Sequence, residues 1–137
     1  MSSDVSKQRR DLRTNKRVSL DHPLKVVMGS IGAEVKYDLQ TRNVSYNGFF
    51  LDFEKPGRFP FTPASITEVW LELEPGNTIF FNGKMARVVY PNDEAAKETG
   101  PGIAVRIVQI DGENQRILNE FIDANYMKND RKTESVA

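Results

Sequence analysis

Hydrophobic and polar side chains alternate along the chain from about residue 24 onward. The clearest run is 34–43, whose predicted inward face comprises Val35, Tyr37, Leu39 and Thr41. A period of two residues is typical of a strand with one buried and one exposed face. The run 66–74 has the same period, with Trp70 on an outward, acidic face and an inward face formed by Val69, Leu71 and Leu73.

Shorter apolar segments predict further strands, and turn residues separate them. The predicted strands cover residues 24–28, 48–53, 78–81, 84–90 and 102–110. Turns are predicted at residues 29–32 and at Asn47-Gly48, Pro75-Gly76-Asn77 and Asn82-Gly83. Because Asn-Gly tolerates positive φ, the last of these predicts a hairpin between 78–81 and 84–90.

A single helix is predicted after Asp111, whose carboxylate can cap it. Apolar residues then recur at helical spacing and form one stripe, made of Ile117, Leu118, Phe121, Ile122 and Tyr126. We expect this stripe to cover an open end or seam of the sheet. Six or seven short antiparallel strands followed by one helix predict a mainly all-β fold, a small closed or nearly closed barrel.

The composition excludes several kinds of functional site. The 137 residues include no cysteine and one histidine, His22, which excludes disulfides, thiolate chemistry and multi-histidine metal sites. No run approaches 18 consecutive apolar residues, so no transmembrane helix is predicted. No nucleophile or acid–base group stands at motif spacing, and we therefore expect neither catalysis nor a bound metal or cofactor.

The formal net charge of +0 conceals an uneven distribution of charge. Residues 1–17 hold six basic and two acidic side chains, a net charge of +4, so the remaining residues carry −4. The basic side chains are Lys7, Arg9, Arg10, Arg13, Lys16 and Arg17. Such a basic arm is either a solvated tail or a segment that binds an anion.

Two segments combine side chains suited to binding a nucleotide. Arg13 and Arg17 are four residues apart, and guanidinium groups bond both phosphate and the O6/N7 edge of guanine. Asn43 and Ser45 are two apart at a strand end, so they point the same way. They follow the predicted apolar face of that strand, where polar groups need partners. Gly48 allows a tight turn or the close approach of a ligand to the backbone.

With both segments in view, the sequence resembles the PilZ domain family, bacterial receptor modules for cyclic di-GMP. Members carry RxxxR on a flexible N-terminal segment and (D/N)xSxxG at a strand end. This chain has the first motif as Arg13/Arg17 and the second as Asn43/Ser45/Gly48. The resemblance spans roughly 9–128. Either motif alone is weak, whereas both in this order on an all-β pattern with a C-terminal helix are specific.

The resemblance implies a six-stranded antiparallel PilZ-type β-barrel with a C-terminal α-helix and cyclic di-GMP bound on its outer surface. Arg13 and Arg17 would contact guanine and phosphate. Asn43 and Ser45 would fix a guanine edge, while Gly48 would be mainly a backbone requirement. Auxiliary phosphate contacts would come from Arg9, Arg10 and Lys16.

The predicted organisation divides the chain into three parts. Residues 1–17 form a flexible basic arm, 18–128 the barrel with its closing helix, and 129–137 a disordered tail. The arm has few large apolar groups, so burial cannot offset the entropy lost when it orders alone. A dianionic ligand would clamp the arm against the barrel. The new surface would be read by a downstream effector protein in the bacterial cytoplasm, without membrane contact.

Two positions depart from the pattern of many family members. Asn43 stands where many have Asp, so the charge-assisted bonds of a carboxylate are lost. Leu12 stands where many have an extra arginine. Fewer arginines favour one bound ligand molecule over a stacked pair.

Two alternatives remain open at this point. One is a PilZ-like adaptor that binds no nucleotide. The other is a barrel that binds single-stranded nucleic acid through the basic arm and the aromatic side chains Phe49, Phe50 and Phe53. Such barrels combine a basic groove with exposed stacking aromatics. The acidic body, and the position of these aromatics in apolar strands, disfavour nucleic acid.

Overall fold

The computed structural model describes residues 17–136, with side chains described up to residue 126. Arg9, Arg10, Arg13 and Lys16 therefore lie outside the described residues. In chain order the elements are β1 (Arg17–Ser30), β2 (Tyr37–Ser45), β3 (Gly48–Asp52), a 3-10 turn (Pro56–Arg58), β4 (Thr67–Glu74), β5 (Asn77–Val89), α1 (Ala96–Thr99), β6 (Gly102–Gln109) and α2 (Gly112–Val136).

The six strands form a closed antiparallel barrel in the order β1-β2-β3-β6-β5-β4. Four of the six pairings join strands that follow each other in the chain. The other two, β1 with β4 and β3 with β6, close the barrel. This architecture confirms the predicted six-stranded barrel with a C-terminal helix. Closure leaves no unpaired edge strand on which a second chain could add by backbone hydrogen bonding.

Aliphatic and aromatic side chains fill the barrel interior. The inward residues of β4 are at most 2% exposed, as the alternation of 66–74 predicted. The other strands contribute fully buried residues that include Val26, Met28, Leu51, Ile79, Phe81 and Ile103. Each such side chain contributes about 1.5–3 kcal/mol when it is removed from water. Burial of these side chains therefore holds the strands together.

Helix α2 packs against this core and contacts β1 and β5. Leu118 and Ile122 are fully buried and Phe121 is 9% exposed, whereas Tyr126 at the end of the stripe is 37% exposed. The backbone of α2 continues to Val136, beyond the predicted limit at residue 128. The division into arm, barrel and tail at 17 and 128 stays a prediction. No helix among the described residues is long and apolar enough to cross a membrane.

The start of α2 is capped by Asp111, as predicted. A carboxylate oxygen of Asp111 accepts the backbone N–H of Asn114 at 2.8 Å. This hydrogen bond is the main reason that the pKa of Asp111 lies below its ordinary value. Asn114 also accepts the backbone N–H of Phe80 through Oδ1 at 3.1 Å. The cap therefore ties the helix to β5 as well as satisfying its first turn.

The hairpin predicted at Asn82-Gly83 is wrong, because β5 runs without a break through both residues. Gly83 pairs with Thr67 of β4, whose hydroxyl donates to the Gly83 carbonyl at 3.0 Å. The pairing of β5 with β6 shifts register between Asn82 and Gly83. The dipeptide thus marks an irregularity within a strand. The actual turn between β4 and β5 lies at Gly76, where φ is 82°.

The first two strands also differ from the prediction. β1 begins at Arg17 rather than near residue 24, and its pairing with β2 shifts register between Ser19 and Leu24. β2 begins at Tyr37, so Val35 lies in the connection before it and is 61% exposed. Tyr37 is also exposed and packs edge-on against Phe61 at a ring separation of 5.6 Å. The predicted inward face of 34–43 therefore begins only at Leu39.

Trp70 lies on the outer face of β4, as its position in the alternation predicted. Its ring packs against Phe80 at a centroid separation of 5.2 Å, and the Lys36 ammonium lies 5.2 Å from the ring centroid. The side chain therefore covers the outer surface of the sheet.

The buried helix stripe leads to a test of how the barrel is closed. Leu118→Ala should lower the free energy of unfolding by about 2–5 kcal/mol, because it leaves a cavity between helix and barrel. Glu120→Ala removes an exposed ion pair with Arg116 on the same helix, which contributes about 0.3–0.5 kcal/mol. Urea denaturation followed by circular dichroism measures both. Equal losses would show that the helix does not pack on the core.

Candidate functional site

A groove of about 390 Å³ lies on the outside of the barrel, across β2, β3, β6 and β5. Four of the predicted site residues line it: Arg17, Asn43, Ser45 and Gly48. They come from β1, β2 and β3, and the remaining wall is formed by β5, β6 and the segment around α1. The structure therefore brings the second predicted motif and one arginine of the first to a single surface.

Asn43 and Ser45 face this groove because β2 contains an irregularity. Strict alternation would place both on the same face as Thr41, which is fully buried. The pairing of β2 with β3 shifts register between Thr41 and Asn43, and Val44 is buried instead. The Thr41 hydroxyl stabilises this point, since it accepts the Asn43 N–H at 3.2 Å and lies 2.5 Å from the Phe50 carbonyl oxygen. The prediction that the polar pair continues an apolar face is wrong for this reason.

Asn43 is held by a neighbour on β1. The Ser19 hydroxyl donates to Asn43 Oδ1 at 2.6 Å. A carbonyl oxygen has two lone pairs, so Oδ1 retains the capacity to accept one more hydrogen bond. The amide NH2 group remains a donor. Asn43 therefore offers one acceptor and two donors in a fixed orientation.

Ser45 and Gly48 form the turn between β2 and β3. The Ser45 hydroxyl donates to Asn47 Oδ1 at 2.7 Å and lies 3.2 Å from the Gly48 carbonyl oxygen. The Asn47 carbonyl oxygen in turn accepts the backbone N–H of Ile107 on β6 at 2.7 Å. The turn that presents Ser45 is therefore fastened to the strand on the other side of the groove.

Gly48 is required by the close approach of β3 to β6. A Cβ atom at this position would lie 2.1 Å from the Val105 carbonyl oxygen, a separation that no side chain tolerates. The predicted role of Gly48 as a backbone requirement agrees with this geometry.

Strand pairing places several site residues in one row across the barrel. Arg17 pairs with Ser45, Ser45 with Gly48, Gly48 with Arg106, and Arg106 with Lys84. Gly48 thus separates Ser45 and Arg17 on one side from Arg106 and Lys84 on the other. The row gives the groove cationic groups at both of its sides.

The sequence prediction missed four residues that line the groove or orient its side chains: Ser19, Asn47, Arg87 and Arg106. Arg106 is far from both motifs along the chain and reaches the site only through the pairing of β3 with β6. Ser19 and Asn47 are close to the two motifs in the sequence. Their polar side chains near strand ends could have marked them as candidates for the site. No sequence pattern singled out Arg87.

The three arginines that line the groove, Arg17, Arg87 and Arg106, are exposed, and Glu98 on α1 is the carboxylate among the lining residues. Three positive charges against one negative charge give the groove a positive potential, which favours binding of an anion. Among the described residues, no group of three or more His, Cys, Asp or Glu side chains is placed to hold a metal ion. The groove is therefore suited chemically to an anion with hydrogen-bonding edges.

The aromatic residues proposed for nucleic-acid stacking are largely buried, although Phe49 and Phe50 are among the residues that line the groove. Phe49 is 5% exposed and packs against Phe81 at 5.8 Å, and Phe50 is 9% exposed. Phe53 packs edge-on against Phe59 at 5.5 Å. Stacking with successive bases needs exposed ring faces, and the low exposure of Phe49 and Phe50 disfavours it.

A model of the PilZ domain family matches residues 8–124 of the sequence. The chain belongs to the PilZ domain family. The match covers most of the chain and confirms the resemblance carried by the two motifs. Among curated proteins, a search finds none that matches.

Solved structures share the PilZ fold with this chain at low sequence identity. The Bacillus subtilis inhibitor of motility MotI/DgrA is 16% identical, with a TM-score of 0.63 over 83% of this chain and 52% of that one. The PilZ domain of YcgR from Escherichia coli, solved with c-di-GMP, is 10% identical, with a TM-score of 0.61 over 86% and 94%. The PilZ domain of CeSA from a cellulose-synthesizing bacterium is 12% identical, with a TM-score of 0.52 over 79% and 95%.

The extent of these matches differs. This chain spans about half the length of the Bacillus subtilis protein but nearly all of the isolated YcgR and CeSA domains. At these identities the likeness establishes the fold.

PilZ domains are receptor or adaptor modules rather than enzymes, which agrees with the lack of a catalytic motif in the sequence.

The close approach at Gly48 gives a test of the site's framework. Gly48→Ala should destabilise the fold by about 1–3 kcal/mol or more, because the new methyl group overlaps the Val105 carbonyl oxygen. Gly57→Ala is the matched control, since a Cβ there meets no atom within 4 Å. Thermal denaturation of both variants measures the difference. Equal melting temperatures would mean that β3 and β6 do not approach as closely as described.

Proposed function

We propose that this PilZ domain is a receptor for cyclic di-GMP that acts as an adaptor in the bacterial cytoplasm. The observation that carries the proposal is the groove itself, where Arg17, Asn43, Ser45 and Gly48 line one surface of the barrel. Arg17 of the first motif and Asn43 of the second are 26 residues apart in the sequence. The presence of Arg17 beside Asn43 and Ser45 in one groove supports a shared ligand. The YcgR PilZ domain of the same fold was solved with c-di-GMP.

The proposed contacts follow from the chemistry of each side chain. Arg13 and Arg17 bond the phosphate oxygens and a guanine O6/N7 edge through their guanidinium groups. Asn43 offers donors and an acceptor to the polar edge of a guanine. Ser45 donates its one hydroxyl proton to Asn47, so in this arrangement it accepts from an N–H of the base; it bonds a phosphate oxygen only if that proton turns toward the ligand. Arg9, Arg10 and Lys16 add contacts to the phosphates.

The proposed mechanism uses the position of Arg17 at the junction between the arm and the barrel. Arg17 is the first residue of β1 and lies opposite Ser45, so the chain enters the barrel beside the groove. A bound dianion then neutralises the arm's arginines and holds them on the barrel surface. A ligand shifts an equilibrium only through its different affinity for the two states, and the ordered arm supplies that difference. The surface made by arm, ligand and barrel is what an effector protein reads.

Calorimetric titration with cyclic di-GMP tests the assignment of the site. Arg17→Ala and Arg13→Ala should each weaken binding by roughly 1–3 kcal/mol, because each removes charge-assisted hydrogen bonds. Ser45→Ala should also weaken binding while leaving the fold intact. Arg58→Ala, an exposed arginine that does not line the groove, is the control and should bind like the wild-type protein. Unchanged affinity in Arg17→Ala would overturn the site.

The arm mechanism has a separate spectroscopic test. Addition of cyclic di-GMP should shift the backbone amide resonances of residues 9–17 and reduce their fast motion, since the ligand holds the arm on the barrel. Resonances of the helix α2 should change little and serve as the internal control. Saturating ligand without any shift in 9–17 would show that the arm takes no part in binding.

The same titration separates the proposal from the two alternatives. A folded protein with no affinity for cyclic di-GMP would favour an adaptor that binds no nucleotide. Salt-dependent binding of oligonucleotides without selectivity for cyclic di-GMP would favour a nucleic-acid barrel. We expect one ligand molecule per chain, because Leu12 leaves the arm without a further arginine beside Arg13.

A further inference from the structure

The wall of the groove formed by β5 and β6 carries two arginines that neither motif includes. Arg87 lies on β5 and Arg106 on β6, and both line the groove. Arg106 stands directly opposite Gly48, on the far side of the groove from Ser45. Arg87 pairs with Ala104 one step further along the same two strands. The two guanidinium groups therefore belong to neighbouring positions of one wall.

Neither arginine has a partner within the described part of the chain. The side chains of Arg87 and Arg106 form no hydrogen bond or ion pair with any described residue. Arg116 on α2 shows the contrast, because its guanidinium bonds both Glu113 and Glu120. Arg87 and Arg106 are thus held in place by strands yet keep all their side-chain donors for a ligand.

Positive charges on β5 and β6 repel one another when no anion is bound in the groove. Arg106 pairs directly across the sheet with Lys84, and like charges in directly opposed positions destabilise a sheet. Arg87 adds a third positive charge to the same two strands. Glu98 is the carboxylate that lines the groove. An anion bound at this wall would relieve the repulsion, so the fold maintains a site with a preference for negative charge.

The spacing of the strands separates this wall from the arm. Arg17 on β1 and Arg106 on β6 are three strand spacings apart, which is about 14 Å across the barrel surface. Between them lies Gly48, which has no side chain to obstruct a flat ligand. Cyclic di-GMP carries two phosphates on opposite sides of one ring. A ligand lying across Gly48 therefore presents a phosphate to each side.

We propose that Arg87 and Arg106 form a second anion-binding wall that holds the phosphate of cyclic di-GMP farthest from Arg17. The inference rests on the proposed function and deepens it, since it assigns cationic contacts on the barrel itself to the phosphate that lies away from Arg17. Guanidinium groups bind phosphate oxygens in a bidentate manner, which a point charge does not reproduce. Together with Arg17 on the other side of the groove, the wall favours a ligand with two separated phosphates.

Calorimetric titration of the full chain with cyclic di-GMP tests the wall. Arg106→Ala and Arg87→Ala should each raise Kd by roughly 10- to 100-fold, as expected for lost charge-assisted hydrogen bonds. Arg106→Lys should lie between the alanine variant and the wild-type protein. Arg58→Ala makes the same change in net charge away from the groove and should change Kd by less than about 2-fold. Melting temperatures close to that of the wild-type protein would show that the variants are folded.

A double variant distinguishes two ends of a ligand from one shared phosphate. If Arg17 and Arg106 contact different phosphates about 14 Å apart across the barrel surface, their contributions should be nearly independent, and the fold-changes of Arg17→Ala and Arg106→Ala should multiply. A double variant no weaker than Arg17→Ala alone would overturn the proposal.

The outcomes also separate this inference from the function on which it rests. If the wild-type protein does not bind cyclic di-GMP, the proposed function fails. If the wild-type protein binds and Arg17→Ala weakens it, while Arg87→Ala and Arg106→Ala bind normally, the second wall alone is wrong.

Discussion

The close approach of β3 to β6 is the constraint on which the rest of this structure depends. These strands are not neighbours in the chain, and their pairing is one of the two that close the barrel. Glycine stands at both ends of the ladder: a Cβ at Gly48 would lie 2.1 Å from the Val105 carbonyl oxygen, and one at Gly102 would lie 2.0 Å from that of Leu51. The same pairing sets Arg106 opposite Gly48, in the turn that presents Ser45. The pairing of β3 with β6 therefore both closes the barrel and assembles the site.

Charge in this protein acts through its location rather than its sum. A formal net charge of +0 would suggest no preference for an anion. The residues that line the groove nevertheless include three arginines and one carboxylate, that of Glu98. On α2, by contrast, Arg116 is paired with both Glu113 and Glu120. Strand pairing fixes the backbones of Arg87 and Arg106 on one wall. Binding a ligand therefore costs only the conformational entropy of their side chains. Arginines fixed in this way suit the recognition of a small, doubly charged ligand.

Predictions from the sequence succeeded where one local signal decided the outcome. The alternation of β4 and the apolar stripe of α2 both report burial directly, and the Asp111 cap needs only residues within one turn. The hairpin at Asn82-Gly83 failed because tertiary pairing overrode a local preference: both residues are bonded to Thr67 of β4 within a continuous strand. The apolar face assigned to 34–43 failed because its first residues precede the part of β2 that covers the core.

The sequence by itself determined the family, the all-β pattern with its closing helix, and the identity of Asn43, Ser45, Gly48 and Arg17 as a candidate set, because short motifs and residue periods are local properties. Only the tertiary structure decided which way Asn43 and Ser45 face, since a register shift in β2, invisible to a period of two, turns them away from the core. It alone also brought Arg87 and Arg106 to the same groove. Pairing between strands distant in the chain depends on the packing of the whole barrel, and no local pattern encodes it.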